Sequence, residues 1–259
     1  MVPALLALLV LFTLLWLTSL WLSNASIVDT WWGPAFVVAI VSHLGFALPT
    51  QPRAWVALAA TTLWATRLAW HIGGRNTGHG EDPRYAAWRQ EHGSRWWWRS
   101  YFQVFVLQAV IAWIVSTPLY FATRGDTPFP TIADMAGIAL FGAGLLFEGV
   151  ADAQLAAFKR NPANRGQVMD RGLWRFSRHP NYFGETLLWW GLGLLGVSAA
   201  RGWLGLIGPV VMTFLLLRVS GVTMLERGLV KSRPGYRDYI ARTSAFVPWP
   251  PRTIARSGD

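Results

Sequence analysis

Apolar residues in this chain come in long runs, with no sustained alternation. Windows of about 20 predominantly apolar residues, the length that crosses a bilayer as a helix, fall at 2–22, 26–47, 54–74, 102–122, 132–157, 182–200 and 203–225. The pattern therefore predicts an all-α integral membrane protein with seven transmembrane helices and no sheet. Pro49, Pro52, Pro128 and Pro130 stand in the short breaks, where a residue with fixed φ and no N–H stops a helix. No internal repeat is visible. The first run, Met1 to Leu22, ends in Ser23-Asn24-Ala25, which has the small residues of a cleavage site. No Lys or Arg precedes it, and it exceeds the ~7–15 residues of a signal-peptide core. It is read as a retained first span.

Composition agrees with that reading. Of 259 residues, 53% are apolar and 17 are tryptophan, and the mean hydropathy is +0.31, too apolar for a soluble domain. There is no cysteine, which removes disulfides and thiolate metal sites; His79 and His92 are too isolated to suggest a metal. The formal charge of +10 is explained by where the basic residues lie. Five fall in 75–99, six in 159–178 and seven after 226, against Arg53, Arg124 and Arg201 on the opposite side of a seven-span chain. The positive-inside rule then places the N-terminus outside and the C-terminus in the cytoplasm. No basic stretch is long or clear of apolar helix, so nucleic acid is not expected as a partner. Trp31-Trp32, Trp96-Trp97-Trp98, Trp189-Trp190 and Trp203 cluster near span ends, as in an interfacial aromatic belt.

Ionisable groups at membrane depth are expensive and are functional candidates by default. Here they are Asp29, Arg67, Glu148, Asp152, Glu185 and Arg218, with His43 and His71 as weaker additions. Glu148, Asp152 and Lys159 share one face of the fifth span, and Arg67 and His71 share one face of the third. Glu226 follows Arg218 by about two turns. These groups fall on the cytoplasmic side, where they would converge on one cavity; the alternative is ion pairing between helices, for example Arg67 or Arg218 with Glu148 or Asp152. Beside them lies Arg171-Gly-Leu-Trp-Arg-Phe-Ser-Arg-His-Pro-Asn-Tyr-Phe-Gly-Glu185. Arg171, Arg175 and Arg178 suit phosphate, as does the helix start after Pro180. Asp152 and Glu185 suit ribose hydroxyls or an amino group. The corner fits a phosphorylated, nucleotide-like cofactor, and with no strands a Rossmann domain is excluded. The loop 75–99 reads either as a cap over that cavity or as a solvated loop with local ion pairs.

The segment from Gly172 to Glu185, with Trp189 and Gly191, resembles the C-terminal domain of steroid 5-alpha-reductases and related sterol reductases. The tail Leu225-Glu-Arg…Tyr236-Arg-Asp-Tyr239…Val-Pro-Trp249 is similar too. Asp29-Thr-Trp-Trp-Gly33 and Glu81-Asp-Pro-Arg-Tyr85 extend the resemblance to the bacterial membrane proteins that carry this domain. It implies seven spans with NADPH in the cytoplasmic half. The domain would be single, with 1–125 on the substrate side and 126–259 holding the cofactor. Asn181 and Glu185 would be cofactor ligands from the pattern Asn-x-x-x-Glu, with Trp189 on the same face. Asp152, Lys159, Arg67, Arg218, Glu148, Tyr182, Glu226 and Tyr239 would complete the set with Arg171 and Arg178. The animal reductases carry a Gln-Glu pair in the second span and a tyrosine in the third. This chain has Asp29, Trp31 and Trp32, and Trp64, in their places.

The expected activity is reduction by NADPH of the carbon–carbon double bond of a lipophilic enone, in a bacterial inner membrane. Asp29 is the candidate acid, because a carboxyl taken out of water can keep its proton nearer neutrality; Tyr85 and His71 are in reserve. Isoprenylcysteine and phospholipid methyltransferases share Arg-His-Pro-x-Tyr-x-Gly and bind S-adenosylmethionine, which makes methyl transfer the first alternative. A non-catalytic lipid-binding or transport protein is the second.

Overall fold

The computed structural model describes residues 1–76, 78, 80–219 and 221–253, and among them the regular structure is helical, with one isolated bridge between Ser177 and Ser244. His79 and Arg256, named or counted above, lie outside the described residues, as does the side chain of Arg227. Four stretches are long and apolar enough to cross a bilayer: Val2–Leu22, Pro83–Val115, Ile132–Arg160 and Gly202–Val219. Among the described residues the seven expected segments are largely helical, but their ends differ from the apolar windows.

The chain forms two units, residues 1–135 with 192–208, and residues 136–191 with 209–259. The first contains α1 (Val2–Leu22), α2 (Ile27–His43), α3 (Pro52–Asn76), α4 (Pro83–His92), α5 (Trp96–Ser100), α6 (Leu107–Val115) and α7 (Thr117–Ala122). Leu8, Phe12, Phe36, Ile40, Trp64 and Phe105 are fully buried in it. A Cβ on Gly33 would stand 3.0 Å from the Ala65 backbone, so α2 and α3 touch main chain to main chain. The fourth expected span is interrupted. A π-helical turn over Tyr101–Val106 separates α5 from α6, and Pro118, which has no N–H to give, restarts the helix after Ser116. At one end Arg53 and Asp134 make a bidentate ion pair of 2.8 Å with side chains 1% and 0% exposed. Thr131 and Thr127 add hydrogen bonds, as burial of charge requires.

The expected loop 75–99 is largely helix. Asp82 accepts from the Arg84 N–H as N-cap, and Pro83 takes the first turn, where its missing donor has no cost. Polar side chains hid this helix from an apolar window.

The second unit is built on α8 (Ile132–Arg160, in this unit from residue 136) and α9 (Pro180–Val197, in this unit as far as 191). Their axes are pressed together at glycines. A Cβ on Gly184 would lie 2.5 Å from the Glu148 nitrogen, and one on Gly144 2.5 Å from the Leu188 nitrogen. The expected seventh span ends early. After α10 (Ile207–Phe214) a π-turn carries the chain to Val219, and α11 (Val222–Ser232) starts afresh beyond Gly221. At Gly221 a Cβ would fall 1.9 Å from the Leu216 carbonyl oxygen, so only glycine fits. The short α12 (Tyr236–Arg242) and an extended tail complete the unit.

Candidate functional site

In the second unit the acids of α8 meet the amide of α9. Glu148 and Asp152 are one turn apart and buried, and so is Glu185, one turn after Asn181. The Asn181 amide donates to the Asp152 carboxylate at 3.2 Å. Its own carbonyl oxygen is buried with no hydrogen-bond partner among the described residues, and so is the Thr186 hydroxyl. An unmet acceptor beside buried carboxylates is costly unless a donor arrives. Trp189 lies one turn further along α9, fully buried. The glycine contacts make this meeting possible, because a larger residue at 144 or 184 would part the helices.

The basic segment is pinned to the end of α8. Gln154 accepts from the Leu173 N–H at 2.9 Å, and Trp174 donates to the Ala151 carbonyl at 3.0 Å. Gly172 sits over Gln154 with φ +58, and a Cβ there would stand 2.5 Å from the Gln154 side chain. Only its position two residues after Asp152 could have singled out Gln154.

Arg178 is placed differently from the phosphate-binding role expected of it. Its guanidinium donates to Glu226 (2.7 and 3.2 Å) and to the carbonyls of Ile240 and Thr243. His179 shares the same Glu226 oxygen at 3.1 Å and stacks on Tyr182 at 5.5 Å. Burial alone would push the Glu226 carboxyl up, but hydrogen bonds from His179 and Arg178 and the Arg178 charge hold it below the ordinary range. The Tyr239 hydroxyl donates to the carbonyls of Trp174 and Ser177, and burial raises its pKa, which keeps it a donor. Arg178, Glu226 and Tyr239 thus bind the tail to the motif. Arg171, Lys159 and Arg218 are exposed.

In the first unit Asp29 accepts from Arg84 at 2.8 Å and from the Tyr85 hydroxyl at 2.7 Å. Asp82 also accepts from Arg84; burial would raise its pKa, and the Arg84 hydrogen bonds and charge lower it on balance. Glu81 accepts from the Ala25 N–H and from Arg89, and the Asp82 N–H donates to Ser26. The two motifs around Asp29 and Asp82 are therefore halves of one polar joint. Asp29 is thus the shared acceptor of a guanidinium and a phenol, and Tyr85 is the hydroxyl held against it. Arg67 and His71 lie half-buried on α3.

Helices fit for a bilayer and a buried acid–amide cluster define a membrane-associated helical protein with an internal polar site. The chain belongs to the family described as protein of unknown function (DUF1295), whose model matches residues 15–243. It is 28% identical over 277 aligned residues to the uncharacterized protein C594.04c of Schizosaccharomyces pombe, covering 92% of this chain and 77% of that one. A shorter stretch of 58 residues, 22% of this chain and 20% of the other, is 40% identical to the probable O-methyltransferase ustE of Ustilaginoidea virens. No solved structure matches it.

Proposed function

We propose that this chain is a membrane reductase that uses NADPH to saturate the activated double bond of a lipophilic enone of steroid, sterol or isoprenoid type. It would cross the membrane seven times, with its N-terminus outside and its basic loops in the cytoplasm, in the inner membrane of a bacterium. The observation that carries the reading is the Asn181–Asp152 contact with its buried, unmet amide oxygen. Ribose hydroxyls and amide or adenine N–H2 groups are the donors such an oxygen takes, and the carboxylates of Asp152 and Glu185 accept from the same groups. Arg171, exposed beside the cluster in sequence, is left for phosphate. NADPH when bound supplies the hydride. Tyr85, held by Asp29, is the residue proposed to give the proton that balances it, and Asp29 keeps the phenol in position.

The second reading is methyl transfer from S-adenosylmethionine, favoured by the short match to a probable O-methyltransferase. That ligand also carries a ribose diol and an adenine, so Asn181 and Asp152 serve either. Phosphate separates the two, and so does a thermal-shift experiment. The detergent-purified protein is heated with NADPH, NADH or S-adenosylmethionine, each at a hundred times its dissociation constant, where one-site binding stabilises by about 2.7 kcal/mol. A shift with NADPH that disappears in Asn181→Ala and Glu185→Ala is the expected result. A shift with S-adenosylmethionine alone replaces this reading by the second.

A further inference from the structure

The tail and the basic segment together make a surface that the cluster above does not use. Phe176 is 39% exposed, Val247 56% and Trp249 69%. They form one patch, because the Trp249 N–H donates to the Phe176 carbonyl at 2.9 Å and Ser177 bridges to Ser244. Arg175 and Arg252 beside them are exposed. The acid of the segment, Asp170, is already paired with Arg242. Exposed aromatic and aliphatic groups rimmed by arginine are the composition of a protein surface seated among lipid headgroups.

The height of the patch agrees. Leu173 and Trp174, three and two residues before Phe176, are bonded to Gln154 and Ala151. Those residues lie within the last three turns of Ile132–Arg160, a helix apolar and long enough to cross a bilayer and ending in Lys159-Arg160. The patch is thus fixed near the level at which this helix would leave the hydrocarbon.

We propose that the surface of Phe176, Val247 and Trp249, with Arg175 and Arg252, docks on anionic lipid headgroups at the membrane edge. The tail that Arg178 and Tyr239 bind to the motif would then rest on the bilayer as well as on the protein. The inference depends on the patch and the apolar helices, and holds for either cofactor.

The test uses the absence of cysteine from the chain. Val247→Cys, labelled with an environment-sensitive dye, is placed in nanodiscs of phosphatidylcholine alone or mixed with phosphatidylglycerol; Ala163→Cys, in the exposed turn Pro162–Asn164, is the control. The expected result is a blue-shifted, lipid-quenchable emission from residue 247 with phosphatidylglycerol, weaker with phosphatidylcholine alone. It should fade near 1 M salt, where screening acts within about 3 Å. Arg175→Gln and Arg252→Gln should each lower the ratio of docked to undocked tail about fivefold. Equal emission in both lipids with no salt dependence overturns the proposal, as does an equal response from residue 163. A dye that stays wet in every nanodisc yet is shielded in native membranes assigns the patch to a protein partner and overturns it too.

Discussion

Replacing Glu226 by glutamine tests what holds the tail to the motif. The Arg178 side chain is 9% exposed and Glu226 17%. In Glu226→Gln the guanidinium keeps the carbonyls of Ile240 and Thr243 and one amide oxygen, but loses its counter-charge. Removing one partner of a fully buried pair costs about 3–5 kcal/mol. The retained acceptors and the partial exposure of Glu226 reduce this to about 2 kcal/mol, roughly thirtyfold in the opening of residues 236–252. Hydrogen exchange reads that opening at three amides: Arg178 donating to Ser244, Trp249 to Phe176 and Arg252 to Arg242. They should exchange about thirtyfold faster while amides in α1 and α3 stay as they were. Unchanged exchange at all three would show that Glu226 is not the latch. Acceleration spread equally over every helix would show instead that the whole fold depends on it.

The same carboxyl sets a pH dependence. Its pKa is lower in the folded chain than in the unfolded one, so its contribution is complete above the unfolded value of about 4.3. It is lost as pH falls through the lower, folded value. Tail opening in the native protein, read as exchange relative to the intrinsic amide rate at each pH, should therefore be flat through weak acid and rise only below about pH 4.3, and Glu226→Gln should abolish the rise.

Three further outcomes are expected. Gly184→Ala puts a Cβ 2.5 Å from the Glu148 backbone nitrogen; overpacking of this kind costs about 1–3 kcal/mol, so its melting temperature should drop, whereas Gly142→Ala, with nothing within 4 Å, should leave it level or raise it. Asp134→Ala strands the buried Arg53 charge and should lose about 3–5 kcal/mol, seen as poor yield of folded protein in detergent; a wild-type melting temperature would contradict that account of the pair. Asp29→Asn should cut enone reduction at least tenfold with the NADPH-induced thermal shift intact, and unchanged turnover would remove Asp29 from the proposed mechanism.

Much of this molecule could be read from residue order. Apolar runs determine where helices form, because in lipid a single segment satisfies its backbone hydrogen bonds within itself only as a helix. The breaks followed local chemistry: Pro118 and Pro180 each start a helix, and Asp82 with Pro83 begins one that polar side chains had disguised as a loop. The acids facing inward on α8 were legible from their spacing of four, and Asn181 with Glu185 from theirs.

What the tertiary structure alone decided is which of these groups already has a partner. Arg178 reads as a phosphate ligand in any linear inspection of its basic segment, yet Glu226, 48 residues away, takes its charge. Tyr239, likewise, donates its hydroxyl to carbonyls 62 and 65 residues upstream. Asp29 reads as a lone carboxyl in an apolar run, but Arg84 and Tyr85, 55 and 56 residues on, both donate to it. Helix periodicity is local and survives in the sequence. Charge pairing depends on contacts between residues far apart in the chain, and a one-dimensional pattern does not encode that distance.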